Sequence, residues 1–301
     1  MFKKKLLAMV MALGMAGAMA ACGGSSGSTS TTAAAAGNSD TATTAAAAIG
    51  MGVVGDGGCN ISLGTSGTIF LSSEGQIAND NPALHIFAHA DGGNCLLGCM
   101  LSAASCNRWF MEDILKTDDY AAEQSAIMEE KLGCNPVYFL PYLMGERSPI
   151  NDVNARGVFF GMTMDTSRAD LLQAILEGVA FAIRDSVEIA AKNGLLPEKS
   201  KICGGGAKSP LWRKIFAAVL NLPLEIPENE QGPGIGAALL AEAAGTGANI
   251  RQLSREYAHA SETVLPDPVL VERYEKRYQQ FRKIYPACRE LFTEFAKEQE
   301  V

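Results

Sequence analysis

Hydrophobic and polar residues alternate along residues 60–70, where they lead into a four-residue turn and out of it again. This period of two predicts a β-hairpin. Its tip consists of Gly64, Thr65, Ser66 and Gly67. Glycines let a backbone approach a ligand closely, and consecutive N–H groups in such a turn form a concavity that binds anions. The tip is therefore a candidate phosphate-binding site, and an ordinary glycine-rich turn is the alternative.

A longer segment has the period of an α-helix. Ser167 and Asp170, three positions apart, predict a capping box, and apolar residues then recur at helical spacing until Gly194. A further helix is predicted to begin with Ser209 as its N-cap and Pro210 in its first turn. Both helices are predicted from local side-chain chemistry together with periodicity.

The rest of the pattern after residue 48 alternates short strands with helices and predicts an α/β domain. Strands are expected near residues 85–90, 137–140 and 201–203. Helices are expected over residues 96–117 and 234–244 and from Pro268 onward, the last interrupted at Pro286.

The strand at residues 201–203 runs into a second glycine-rich stretch. It consists of Gly204, Gly205, Gly206, Ala207, Lys208 and Ser209. A strand, glycines and a capped helix place backbone N–H groups and a helix N-terminus at one edge of a sheet, which suits a nucleotide. The glycines would leave room for a flat base, and Ser209 would offer a hydroxyl group. A tight strand-to-helix turn is the alternative.

The beginning of the chain has a different composition. Three lysines precede a short apolar run, and small residues precede Cys22, a pattern typical of a secretory signal peptide over residues 1–21. The residues before Cys22 also resemble the lipobox of bacterial lipoproteins, in which the cysteine is lipidated; a plain cleaved signal or an uncleaved anchor is the alternative. Residues 22–48 are mainly Gly, Ser, Thr and Ala and predict a flexible tether. The globular domain is expected over residues 49–301.

The net charge of −8 argues against a nucleic-acid-binding protein and against a protein that binds an anionic membrane surface. Backbone dipoles can still hold phosphates in such a protein. Contact with a membrane is therefore expected only through a lipid on Cys22.

The cysteines after Cys22 are odd in number, and most lie in apolar runs, which is typical of reduced, buried cysteines in a cytosolic protein. The leader thus indicates an exported lipoprotein, while the body indicates a cytoplasmic protein. His85, His89, Cys95 and Cys99 suggest a zinc site, but a four-residue cysteine spacing is unusual for zinc. We favour core packing for these residues and expect no metal site.

Residues from about 49 to 292 resemble the C-terminal domain of the FGGY carbohydrate kinases. The matching runs are residues 60–70, 87–93, 98–104, 140–161, the helix with Gln173, Glu177 and Gly178, and residues 204–212. The resemblance is greatest to the family members that act on D-xylulose.

The resemblance implies an actin-like ATPase, or ribonuclease-H-like, domain that is the C-terminal half of a sugar kinase. It implies that Gly64–Gly67 faces the ATP phosphates and that Gly204–Ser209 borders the adenosine. The implied reaction is transfer of the γ-phosphoryl group of Mg-ATP to the 5-hydroxyl group of D-xylulose. The expected partners are therefore a nucleotide and a sugar.

The sequence also departs from the family pattern. The kinases carry an N-terminal domain with an Asp-x-Gly-Thr phosphate loop, and no Asp-x-Gly-Thr or Asp-x-Gly-Ser occurs here. Counting back from Gly50, the position of the family's catalytic aspartate holds Thr43, and a threonine does not act as a base at neutral pH.

The expectation is therefore a kinase domain without a catalytic residue of its own, inactive unless another chain supplies the sugar-binding half. An exported sugar-binding lipoprotein and a non-functional fusion chimera are the alternatives.

Overall fold

The structure is a computed structural model that describes residues 43–229 and 232–299. The expected signal peptide, Cys22 and most of the expected tether lie outside these residues. The described part begins in a helix, α1, over residues 43–50. The last six residues of the expected tether, 43–48, belong to this helix, and Ala48 and Ile49 are buried.

The core of the fold is a mixed sheet of seven strands among the described residues. In chain order they are β1 Cys59–Leu63, β2 Gly67–Ser73, β3 Leu84–Ala88, β4 Asn94–Met100, β7 Ser200–Cys203, β8 Leu224–Pro227 and β9 Ala260–Val264. Their spatial order is β3-β4-β2-β1-β7-β8-β9. Strands β5 Tyr138–Leu140 and β6 Val158–Phe160 form a separate antiparallel pair.

Parallel pairing in the middle of the sheet positions both glycine-rich stretches. Strand β1 pairs antiparallel with β2 and parallel with β7, and Ser62 lies opposite Cys203. The chain leaves both strands at the same edge of the sheet because parallel strands end on the same side. Gly64 and Gly204 therefore begin neighbouring loops.

Helices cover the sheet. They are α2 Ala104–Arg108, which continues as a π-helical turn over Trp109–Ile114, α3 Tyr120–Ser125, α4 Arg168–Lys192, α5 Pro210–Leu220, α6 Gly232–Thr246, α7 Ile250–Tyr257 and α8 Pro268–Gln299. Among the described residues, no helix is both long enough and apolar enough to cross a membrane.

Helix α4 is the central helix of the core. The predicted capping box is confirmed, because Ser167 Oγ accepts from Asp170 N–H at 3.2 Å while Asp170 Oδ2 accepts from Ser167 N–H at 2.9 Å. The fully buried Glu177 carboxylate of this helix pairs with Arg277 of α8 at 2.8 Å and accepts from the Tyr274 hydroxyl at 3.1 Å. Helices α4 and α8 are thus joined by a buried, charged contact.

Two sequence predictions are wrong. Residues 96–117 do not form one helix, because Asn94–Met100 is strand β4, inserted between β2 and β3, and α2 begins only at Ala104. An apolar run without a clear period fits a buried strand as well as a helix. Helix α8 also continues through the exposed Pro286, with buried Ile284 and Phe292 on either side of it.

The other predicted elements are confirmed. They are the hairpin, the strands near residues 85–90, 137–140 and 201–203, the helix over 234–244 and the two capped helices. The α/β fold class is therefore confirmed. Strands β6, β8 and β9 and helices α1, α3 and α7 are not among the predicted elements, although the N-cap residues Asp119 of α3 and Asn249 of α7 are local signals.

Candidate nucleotide site

The tip of the first hairpin is fixed to the beginning of α2. Ala104 N–H donates to the Gly64 carbonyl at 2.9 Å and Ala103 N–H donates to the Thr65 carbonyl at 3.0 Å. The Ser105 hydroxyl also donates to the Thr65 carbonyl, at 2.8 Å. These bonds orient the tip rigidly, with its carbonyl groups turned toward the helix.

The other two residues of the tip support it from behind. Ser66 Oγ donates to the Leu101 carbonyl at 3.3 Å. A Cβ atom on Gly67 would lie 2.9 Å from Ala103 Cβ and 3.3 Å from Ile183 Cδ1, closer than side chains normally pack. A glycine at residue 67 is what allows the hairpin to approach α2 and α4.

The three consecutive glycines after β7 have different roles. Gly204 has a φ of +92°, and a Cβ atom there would lie 2.7 Å from the Leu63 carbonyl oxygen. A Cβ atom on Gly206 would lie 2.7 Å from the Trp212 ring. A Cβ atom on Gly205 would meet nothing within 4 Å. Gly204 and Gly206 are therefore required by packing, whereas Gly205 faces open space.

Ser209 begins helix α5 as predicted. Its Oγ accepts from Trp212 N–H at 3.0 Å and donates to Gln124 Oε1 on α3 at 2.6 Å, and Pro210 occupies the first helical position. The indole N–H of Trp212 donates to the Leu176 carbonyl at 2.9 Å, which anchors α5 to α4. The Ser209 proton is thus directed to Gln124, and the hydroxyl keeps acceptor capacity only.

A cleft of about 920 Å³ brings the two glycine-rich stretches together. Six of the ten predicted nucleotide-binding residues line it, namely Gly64, Thr65, Gly205, Gly206, Lys208 and Ser209. The other four, Ser66, Gly67, Gly204 and Ala207, do not line it. For Ser66, Gly67 and Gly204 the contacts above explain a supporting role, and Ala207 is buried.

Helices α2 and α3 supply a wall of the cleft that the sequence did not reveal. The lining includes Ser105, Asn107 and Arg108 from α2, and Tyr120 and Gln124 from α3. The sequence carries no signal that distinguishes Asn107, because it lies among other polar residues such as Ser105 and Arg108.

In the part of the chain that the structure describes, the cleft wall carries two cations, one paired anion and one buried amide. The exposed cations Arg108 and Lys208 line it, and the anion Glu129, also at the wall, pairs with Lys214 at 2.7 Å. Asn107 is only 6% exposed, and its Oδ1 has no hydrogen-bond partner among the described residues. Buried amide groups are normally paired, so this one is an exception.

A buried acid supports the loop that contacts the hairpin tip. Glu146 is 2% exposed, and its Oε1 accepts from Leu101 N–H at 2.7 Å and from Arg147 N–H at 2.8 Å. Burial raises the pKa of this carboxyl to about 8, although the backbone hydrogen bonds oppose the shift. At neutral pH the carboxyl is therefore largely protonated.

Thr43 lies at the exposed start of α1 and is not part of the cleft lining. The two histidines considered for zinc have other partners, and His85 Nε2 accepts from the Arg147 Nε–H at 3.3 Å. The His89 ring uses Nε2 toward the Val53 carbonyl and accepts from Ala90 N–H at Nδ1, each at 2.9 Å. Within residues 43–229 and 232–299, no three His, Cys, Asp or Glu side chains are grouped as metal ligands would be.

Comparison with known proteins identifies the relatives of this chain. Residues 59–245 match the C-terminal domain of the FGGY family of carbohydrate kinases. The chain is 36% identical over 245 residues to the xylulose kinase of Escherichia coli (strain K12). The aligned region covers 79% of this chain and 49% of that protein. The chain spans about half the length of the curated relatives it matches.

Solved structures show the same fold. A xyloylose kinase from Brucella ovis superposes with a TM-score of 0.78 at 36% identity, covering 82% of this chain and 51% of the other. A ligand-bound xylulose kinase from Lactobacillus acidophilus gives 0.76 at 25% identity, covering 83% and 51%. These sugar kinases have the actin-like ATPase fold, and the expectation of that fold is confirmed.

Proposed function

Because the chain belongs to the FGGY family of carbohydrate kinases, we propose that its cleft is the nucleotide site of a kinase that phosphorylates D-xylulose. Members of the family use ATP, generally with Mg. In the proposed reaction the γ-phosphoryl group of Mg-ATP passes to the 5-hydroxyl group of the sugar. The magnesium ion arrives with the nucleotide as part of the substrate.

The observation that carries this proposal is the convergence of two distant glycine-rich stretches on one cleft. Gly64 and Thr65 line it from one strand end, and Gly205, Lys208 and Ser209 line it from the neighbouring strand end. Ligand sites in α/β proteins lie at such strand ends, and a volume of about 920 Å³ is within the range of nucleotide-sized pockets.

Each stretch has a defined task in this proposal. The hairpin tip, fixed to α2 by its carbonyl groups, presents its backbone to the phosphates. Lys208 and Arg108 supply positive charge at the cleft wall. Gly205 leaves a flat open surface for the adenine ring. Phosphoryl transfer depends mainly on such positioning and charge stabilisation, so these residues would bind and orient the donor.

In this proposal no side chain of the described cleft lining removes the proton from the sugar, because the one acid there, Glu129, is paired with Lys214 at 2.7 Å. The family's aspartate position holds Thr43, and this residue does not line the cleft. Loss of a general base lowers the rate by about 10²–10⁴. We propose that the 301-residue chain by itself binds nucleotide and does not turn over D-xylulose at a rate near that of a complete kinase.

Ligand-observed NMR with Mg-ADP tests the site. If two or three charge-assisted hydrogen bonds to the phosphates are absent, at about 1.5–3 kcal/mol each, a micromolar affinity becomes millimolar. Gly205→Val is expected to abolish binding, because the new side chain enters open space in the cleft without disturbing the fold. Thr43→Asp, a control outside the cleft, is expected to bind like the original chain.

Two results would contradict the proposal. The first concerns binding: a folded original chain would bind no Mg-ADP at millimolar concentration, or the Gly205→Val variant would bind Mg-ADP as tightly as the original chain. The other is D-xylulose-dependent ADP release by the isolated chain at the rate of a complete kinase, measured in a coupled assay.

Cys22 carries a separate proposal about location. We propose that the chain is exported and lipidated on this cysteine, on the strength of the basic, apolar and small-residue order that precedes it. Expression in a bacterium with a fatty-acid probe should label a membrane-bound species, and Cys22→Ser should abolish the label. A single unlabelled cytosolic species would contradict this.

A further inference from the structure

Asn107 lines the cleft but belongs to neither glycine-rich stretch, and it has no role in the nucleotide site proposed above. It lies in α2, lines the cleft and is 6% exposed, yet its Oδ1 has no hydrogen-bond partner among the described residues. Most buried polar side chains are paired with protein or water. An unpaired amide oxygen beside a candidate ligand site is a candidate acceptor for a donor group of the ligand.

The position of Asn107 along α2 selects the part of the nucleotide that it meets. Ala104, three residues earlier, donates its N–H to the Gly64 carbonyl, so α2 begins at the hairpin tip. Asn107 is therefore about one helical turn, or roughly 5 Å along the helix axis, beyond the residue that contacts the hairpin tip. In a nucleotide the ribose follows the phosphates, and the base lies farther on, toward Gly205.

The chemistry of the unpaired atom agrees with this placement. An amide oxygen accepts hydrogen bonds only, and the ribose carries two hydroxyl donors. Oδ1 is itself buried, and because the terminal torsion of an asparagine is broad, a rotation about that torsion would turn the oxygen toward the cleft. The neighbouring Arg108 is a cation without acceptor capacity and serves a different purpose.

We propose that Asn107 accepts a hydrogen bond from a ribose hydroxyl group of the bound nucleotide and thereby favours ribonucleotides over deoxyribonucleotides. This inference rests on the proposed nucleotide site. It assigns the preference for ribose to a side chain on α2 rather than to the glycine-rich loops.

The test compares Mg complexes of ADP, 2′-deoxyADP and 3′-deoxyADP by ligand-observed NMR titration. The original chain should bind ADP about threefold to tenfold more tightly than at least one deoxy analogue, the range of one net hydrogen bond. Asn107→Leu should bind all three equally, whereas Asn107→Asp, which retains an acceptor, should keep the preference. Arg108→Leu is the matched control and should weaken all three by the same factor.

The outcomes separate this inference from the proposed function. If the folded chain binds no nucleotide, the proposed function fails. If it binds ADP but Asn107→Leu, folded by circular dichroism, keeps the ribose preference, only the role of Asn107 is overturned. Replacing ADP by inosine diphosphate provides a second check. A change in ADP-to-IDP preference in Asn107→Leu, with the ribose preference intact, would assign Asn107 to the base and also overturn the proposal.

Discussion

The contact between α1 and α6 gives a sharp prediction about stability. A Cβ atom on Gly236 would lie only 1.7 Å from the Ala46 carbonyl oxygen, and one on Gly50 would lie 2.1 Å from the Gly232 carbonyl oxygen. The two helices therefore cross with their backbones in contact. We expect Gly236→Ala to force them apart and to destabilise the chain.

The size of the effect follows from the required movement. Cβ atoms do not approach other atoms more closely than 3.0 Å, so α1 must shift away from α6 by more than 1 Å. Such a shift loosens the packing of Ala48 and Ile49, which are almost completely buried. Overpacking of this kind costs about 1–3 kcal/mol. For a domain of this size the Tm would fall by about 2–12 °C.

Thermal unfolding followed by circular dichroism measures this change, and Gly234→Ala is the matched control. A Cβ atom on Gly234 of the same helix meets nothing within 4 Å, so alanine there should leave the Tm unchanged or raise it through its better helix propensity. Hydrogen exchange should also show faster exchange in residues 43–50 of Gly236→Ala. Equal Tm values for the two variants would refute the close crossing of α1 and α6.

Three further predictions concern single residues. Because burial raises the pKa of Glu146 from 4.5 to about 8, the folded state retains a proton that the unfolded chain has released, so stability should fall as pH rises from about 4.5 to about 8. Glu146→Gln, which imitates the neutral carboxyl, should flatten that fall in Tm; an unchanged pH profile would contradict the assignment. Pro286→Ala should raise the Tm by a few degrees, because α8 is continuous and alanine restores a backbone donor; a lower Tm would show that the proline stabilises the helix. Cys134 is exposed, whereas burial raises the pKa of Cys59 and Cys95 to about 12. A thiol reagent followed by peptide mass analysis should therefore label Cys134 before Cys59 or Cys95, and early labelling of a buried cysteine would be inconsistent with the core.

Elements defined by neighbouring residues were predictable from the sequence. The hairpin follows from alternation along residues 60–70, and Ser167 with Asp170 starts α4 through a capping box that needs no distant contact. Ser209 and Pro210 start α5 in the same way. Local chemistry was sufficient in each case.

Elements defined by distant partners were not predictable. The run from Leu96 to Met100 is a strand because it fits between β2 and β3, and its own residues suit a helix equally well. The alanines at 45–48 have the composition of a tether. They form part of a packed helix because Gly232 and Gly236 of α6 have no side chains and leave room for its backbone.

The candidate site shows the same division. The glycines of its two loops were recognisable because a turn that approaches a ligand needs them. Asn107 and Gln124 were missed, since each is an ordinary polar residue on a helix. Their importance depends on where α2 and α3 lie relative to β1, which is decided by tertiary packing.

Because β1 pairs with β7, the nucleotide cleft exists only when both strands are in place, so ligand binding requires the folded domain. The paired residues Ser62 and Cys203 are roughly 140 positions apart, so the cleft forms only after a large loop has closed. A partly folded chain with only one of the two strands in place has no site. A nucleotide at ten times its Kd would therefore stabilise the whole domain by about 1.4 kcal/mol rather than one loop. Ligand-dependent protection would then extend to amides throughout the central sheet, far from the cleft itself.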